Sequence, residues 1–367
     1  MVRLPGNRSY ALLLLAGCAA VVLSYVLACV VIDPYGVFDL FAFSRNNPER
    51  SLRYAKTAYI AEHCSEYRGI LFGNSRSLQF SERDLQTYFE EPVFNFSVQA
   101  DALPGIEEKL DWLLPRCPFK DAILVVDAQM LLSRPLDQGL FLREHYLVSD
   151  TSRLEFFAPF LMVPPKIVIK TGLELLRTAF TAPPPGAKPE LVADRAVRTG
   201  ILPVQRACYA PDPANPRAYR ANLAAFHRVL DRLKAAGRSV RVIVAPLNQN
   251  LLARFDYRAV ADAVSDVVAS AGGAAVFTGY NALALDDDLY MDVGHFNGAT
   301  AGLLLQIAST HERRGPLMGW YGAKEAGALR DLLIANGEQR AAACGVVAPP
   351  APATSRPSEV SAQFLAQ

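Results

Sequence analysis

The stretch GILFGNSRS, Gly69–Ser77, sets the reading of the chain. Four residues with an apolar core stop abruptly at Gly-Asn-Ser, the pattern of a buried strand that ends in a tight turn. Downstream, apolar runs and helical patterns alternate. SERDLQTYF (Ser81–Phe89) reads as a helix with Ser81 as its N-cap and acids in its first turn. VFNFSV (Val93–Val98) reads as a strand, LPGIEEKLDWLL (Leu103–Leu114) as a helix and AILVVDA (Ala122–Ala128) as a strand. The rhythm resumes with a long amphipathic helix, NPRAYRANLAAFHRVLDRLKAAG (Asn215–Gly237). After it come strand SVRVIVAPLN (Ser239–Asn248), helix YRAVADAVSDVVASAGG (Tyr257–Gly273), strand AAVFTG (Ala274–Gly279) and helix GATAGLLLQIASTHERR (Gly298–Arg314). Strands alternating with helices predict an α/β fold: a three-layer sandwich on a parallel sheet of about five strands.

Composition adds a membrane. The 367 residues carry 37 basic and 36 acidic side chains, and no basic stripe points to nucleic acid. The apolar excess sits at Tyr10–Ile32, an uncharged run that as a helix would span about 35 Å, enough to cross a bilayer core of about 30 Å. LAGC (Leu15–Cys18) resembles a lipoprotein cleavage box, but the apolar run continues well past Cys18, which favours an uncleaved anchor. Arg3 and Arg8 lie nearer to the run than Arg45 and Arg50, which puts the N-terminus inside and the main domain on the extracytoplasmic side of a single-pass membrane protein.

The expected organisation is a membrane anchor at 1–33, an α/β domain at 34–335 with an insertion at about 128–215, and a disordered tail at 336–367 rich in Ala, Pro and Ser. The insertion is strongly apolar and broken at Pro164-Pro165, and it reads as packing on the core, as a lid, or as a surface touching membrane or a partner. Of the six cysteines, Cys64 and Cys117 each precede an apolar strand-like run. In parallel neighbouring strands they would meet at one end of the sheet. They read either as a disulfide in an oxidising exterior or as two small core residues.

Ligands of parallel α/β sheets gather beyond the carboxyl ends of the strands. The polar residues there are Gly73-Asn74-Ser75-Arg76-Ser77, then Asn95, Ser97 and Gln99-Ala100-Asp101, then Asn248. Before the last helix stands DVGHFNG, with Asp292, His295 and Asn297. A serine hydroxyl needs a base, an imidazole serves near neutral pH, and the ring needs an acceptor on its other nitrogen. Ser75, His295 and Asp292 supply that set. Amides at Ser75 and on the second loop, together with the Asn248 side chain, are the candidate donors to an oxyanion. His63, His145, His227 and His311 lack such an acid-and-turn context. No His/Cys cluster suggests a metal, and no cofactor is expected.

The order Gly-x-Ser after the first strand and Asp-x-x-His before the last helix resembles the SGNH, or GDSL-like, superfamily of serine esterases and acyltransferases. Its Gly-Asp-Ser-x-Ser block is similar to Gly73–Ser77, with Asn74 for Asp. Its Asn-x-Ser-x-x-Gly-Asp block is similar to Asn95–Asp101, with Ala100 for the glycine that supplies an oxyanion amide. Pro246-Leu247-Asn248-Gln249 weakly echoes its third block, and Asp292, His295 and Asn297 match its last. The likeness spans roughly residues 66–312 without most of the insertion. It implies Ser75, His295 and Asp292 as catalytic residues, Ala100 and Asn248 at the oxyanion, and Arg76 and Asn95 toward substrate. The anchor is similar to that of members that D-alanylate teichoic acids or O-acetylate exported polysaccharides. This implies an acyl-serine intermediate, a glycan acceptor, and a multi-pass membrane-bound O-acyltransferase as partner. The departures at Asn74 and Ala100 leave a second expectation, a non-catalytic assembly or binding subunit of such a complex. A third is a secreted small-ester hydrolase.

Overall fold

The computed structural model describes residues 7–41, 50–135, 139–178, 215–292 and 294–344. Among them are seven strands: β1 Gly69–Phe72, β2 Val93–Asn95, β3 Asp121–Val126, β4 Ser239–Val244, β5 Gly273–Val276, β6 Arg313–Gly315 and β7 Met318–Gly322. They form one sheet in the order β2-β1-β3-β4-β5-β7-β6. The five strands expected from sequence are parallel neighbours. The sheet does not stop with them: β7 is antiparallel to β5 and β6 is antiparallel to β7. The architecture is therefore α/β on a mixed seven-stranded sheet rather than a five-stranded parallel one.

The strands alternate their side chains between two cores, as a period of two requires. Ile70, Phe72, Leu124, Val126, Val242 and Val244 face one core, with Ile106, Leu110, Phe226, Val229, Val264 and Val267 from the helices above. Leu71, Ile123, Val125, Ile243 and Ala275 face the other, with Leu85, Leu304 and Ile307. Helices Leu103–Leu113, Pro216–Ala235, Tyr257–Ala271 and Ala326–Ala343 contribute to the first layer, and Glu82–Phe89 and Gly298–Thr310 to the second.

Two sequence readings shift here. The helix expected to run to Arg314 ends at His311, whose φ of +55° turns the chain out of it. Asn336–Ala343, expected as the start of the disordered tail, instead complete the helix Ala326–Ala343, which buries Leu329 and Leu333 in the first core. The stretch from 345 to 367 lies outside the described residues, as does the part of the insertion from 179 to 214.

The N-terminal helix is Asn7–Ile32, and its Ser9–Ile32 portion is long and apolar enough to cross a membrane. It stops at Asp33, whose carboxylate accepts the N–H groups of Val37, Phe38 and Asp39 at 2.9, 3.0 and 2.9 Å. Cys64 and Cys117 are joined by a disulfide, with Cα atoms 5.5 Å apart.

Candidate active site

β1 ends at Phe72, and Gly73 is required by close approach: a Cβ there would lie 2.2 Å from Ser77 Oγ and 3.2 Å from Val125 Cβ. The chain then enters the short turn Ser75–Gln79, with the Asn74 side chain accepting the Arg76 N–H at 3.0 Å. Ser75 is thus held at the carboxyl end of β1, between β2 and β3 in the sheet. That is where parallel strand order reverses and where a crevice opens. A cleft of about 570 Å³ occupies it, lined by Ser75, Arg76, Ala100, Gln129, Leu251 and His295 among others.

His295 arrives from 220 residues further on and places Nε2 2.8 Å from Ser75 Oγ. Its Nδ1 lies 2.9 Å from both Asp292 oxygens. The turn between them is tied by the amides of Gly294 and His295, which donate to Asp292 Oδ1 at 2.6 and 2.9 Å. Asn297 closes the turn, its side chain accepting the Thr300 N–H at 3.0 Å to cap the next helix. Burial pushes the Asp292 carboxyl up, but the hydrogen bonds from the His295 ring and the Gly294 amide outweigh it and hold the group below the usual carboxylate range. An ionised Asp292 only accepts. Nδ1 of a neutral His295 must then donate to it, which leaves Nε2 free to accept the Ser75 hydroxyl.

Arg76 and Asn74 meet a residue that no sequence motif marks. Asn74 Nδ2 donates to Asp127 Oδ2 at 2.6 Å, and Arg76 donates to the same oxygen at 2.9 Å. Asp127 follows β3 and caps the helix Ala128–Leu132 through the Met130 N–H at 2.9 Å. Arg76 also donates to Gln129 at 2.5 Å. Asn74 therefore has a buried carboxylate as its partner. The available signal was the Asp following AILVV, at the end of a strand beside β1.

The loop after β2 is fixed from below by cations. Lys56 donates to the carbonyls of Asn95 and Ser97 at 2.6 and 2.8 Å, and Arg53 donates to that of Gln99 at 2.9 Å. Asp101 pairs with Lys109 at 2.5 Å, and Glu144 pairs with Arg53. All five side chains are buried. Charge-assisted bonds of this kind contribute about 1.5–3 kcal/mol each, enough to hold the loop in one shape. Lys109 is pushed down to about 8, chiefly by burial and against the pull of Asp101. The signal in LRYAKTAYIAEH was two cations on its buried stripe, Arg53 and Lys56, beside Thr57 and Ile60. Ala100 sits on this loop at φ +50°, the left-handed conformation that a glycine adopts freely.

Two expected site residues lie elsewhere. Asn95 is buried, and its amide is fully used: it donates to the carbonyls of Ser77 and Phe80, both at 2.8 Å, and accepts the Ser97 N–H at 3.0 Å. It ties the first loop to the second and does not line the cleft. Asn248 donates to Asp287 at 2.7 Å and accepts the Asn250 N–H at 2.9 Å, and it too stays out of the cleft. The described part of the insertion divides between the cleft and the N-terminal helix. Of it, only Gln129–Pro135 border the cleft, while Arg153–Thr178 pack against the apolar N-terminal helix. The remaining histidines stay apart from this site: His145 stacks on Tyr54 at 4.6 Å, and burial pushes it down to about 4.

No protein-family model matches this chain, and no curated protein matches its sequence.

Proposed function

We propose that the protein is a membrane-anchored serine acyltransferase or esterase of the SGNH type, acting on an envelope or exported glycan. The observation that supports it is the relay from Ser75 Oγ through His295 to Asp292, with contacts of 2.8 and 2.9 Å. In the first step Ser75 Oγ attacks the acyl carbonyl while its proton passes to His295 Nε2. The tetrahedral oxyanion faces the amides of Ser75 and Ala100, the two candidate donors left once Asn248 is excluded. Collapse expels the leaving alcohol, which takes the proton from His295, and the acyl group stays on Ser75. A sugar hydroxyl then attacks the acyl-serine, His295 accepts its proton, and that proton returns to Ser75 as the ester leaves. Water in place of the sugar makes the same cycle an esterase, so exclusion of water decides between them.

The Cys64–Cys117 disulfide favours an oxidising compartment, hence a domain on the extracytoplasmic side of the anchor. The likeness to polysaccharide acylating proteins supports a glycan acceptor and a multi-pass membrane-bound O-acyltransferase as partner. A fluorophosphonate probe on the full-length protein in detergent tests the nucleophile. Labelling is expected in the parent and lost in Ser75→Ala and His295→Ala. Labelling that survives Ser75→Ala removes this mechanism. A folded parent that never labels turns the reading to a non-catalytic subunit of the same complex.

A further inference from the structure

Residues Arg153–Thr178 form two arms on the outer end of the apolar N-terminal helix. The arms Arg153–Met162 and Pro165–Arg177 meet at 83°. Tyr25 donates its hydroxyl to the Val163 carbonyl, and Cys29 shares one core with Phe156, Phe160, Val163 and Val168. A Cβ on Gly172 would lie 3.4 Å from Ile32 Cδ1.

The helix Pro165–Thr178 turns Val168, Thr171 and Leu175 inward. On its other side Ile169, Leu173 and Leu176 are 62%, 58% and 76% exposed. At about 100° per residue these three fall within an arc of about 60°. Lys166, Lys170 and Arg177, all exposed, occupy the adjacent arc. An apolar stripe bordered by cations is the pattern of a helix lying in a membrane interface. On the other arm, Leu154 and Met162 are 78% and 60% exposed.

Depth gives the second argument. Among the described residues of the N-terminal helix, the stretch Tyr10–Ser24 is exposed throughout. It spans about 22 Å at 1.5 Å per residue, against a hydrocarbon core of about 30 Å. Arg8 limits any extension of that core at the other end. Hydrocarbon must therefore reach the level of Tyr25–Ile32, where the two arms pack.

We propose that the helix Pro165–Thr178 is seated in the outer membrane–water interface, with Ile169, Leu173 and Leu176 among the acyl chains and Lys166, Lys170 and Arg177 toward lipid phosphates. This rests on the reading of Ser9–Ile32 as a membrane span. The second attachment holds the domain at one orientation on its anchor.

The test uses the full chain in a Cys18→Ser background, reconstituted in vesicles of phosphatidylcholine and phosphatidylglycerol. A nitrobenzoxadiazole label is placed at Leu13→Cys in one variant and Leu173→Cys in another, and brominated lipids are added as quencher. Quenching and blue-shifted emission at both sites are expected, with the Leu173 site responding more to bromines near the headgroup. Quenching at Leu13 with water-like emission at Leu173 overturns the interfacial helix while leaving the anchor in place, and the stripe then faces a protein. Absence of quenching at both sites removes the anchor itself, and the proposal with it.

Discussion

Placing aspartate, the residue of the SGNH block, at position 74 is expected to damage this protein. Asn74 Nδ2 donates to Asp127 Oδ2 at 2.6 Å, and both side chains are buried. Asn74→Asp replaces the donor with a second carboxylate. At an effective dielectric of about 20, two charges about 3 Å apart repel by about 5 kcal/mol. Arg76, already 2.9 Å from Asp127, offsets part of this. The other escape is a proton shared by the pair, and holding one carboxyl protonated at pH 7 costs about 4 kcal/mol. The net loss at pH 7 is therefore about 2–4 kcal/mol, a fall in Tm of about 5–10 °C. The sign with pH is set by the shared proton, which raises a folded-state pKa above its unfolded value. The variant then matches the parent best below the ordinary carboxylate range and falls behind as pH rises from about 4 to 7. The swap Asn74→Asp with Asp127→Asn again opposes one donor to one carboxylate, and Asn at 127 still accepts the Met130 N–H. It should recover most of the loss. Thermal unfolding in detergent at pH 5 and pH 7, followed by tryptophan fluorescence, measures all three proteins. A single variant as stable as the parent at pH 7, or a swap that recovers nothing, refutes the paired reading of Asn74 and Asp127.

Three further outcomes rest on the same geometry. Ala100→Gly relieves a left-handed alanine and is expected to raise stability by up to about 1 kcal/mol in chemical denaturation, with fluorophosphonate labelling retained; a clear loss of stability contradicts the strain. Cys64→Ser with Cys117→Ser opens a loop spanning 53 residues and should cost about 4 kcal/mol on chain entropy, read as a lower denaturation midpoint matched by the reduced parent. Lys109 is pushed down to about 8 in the folded state, so the unfolded chain binds the extra proton between pH 8 and its ordinary value of 10.5. Its contribution to stability rises across that window by about 3 kcal/mol at most, and Lys109→Met should flatten the rise relative to the parent.

The chain's local chemistry carried much of the outline. Gly69–Phe72, Asp121–Val126 and Ser239–Val244 are short apolar runs closed by turn residues, and their period distinguishes them from the helices between. The uncharged run before Asp33 marked a membrane-length helix by length alone. Gly73-Asn74-Ser75 and Asp292-x-x-His295 stood out because a nucleophile and its base need those types at turns beyond strands. What sequence could not carry was pairing. The strands β6 and β7, in RRGPLMGWYG, are short and charged or glycine-rich, and only pairing, of β7 with β5 and of β6 with β7, makes them strands. Asn95 and Asn248 have residue types suited to a substrate or an oxyanion, yet their amides are taken by carbonyls and a carboxylate from other segments. Asp127 and the buried cations Arg53, Lys56 and Lys109 act through partners 8 to 91 residues away, the last being Glu144 with Arg53. Turn chemistry and periodicity are properties of neighbours along the chain, so they can be read from it. Which donor meets which acceptor across the crevice, and that Ser75 meets His295 at all, is decided by the packing of the sheet and its two helical layers.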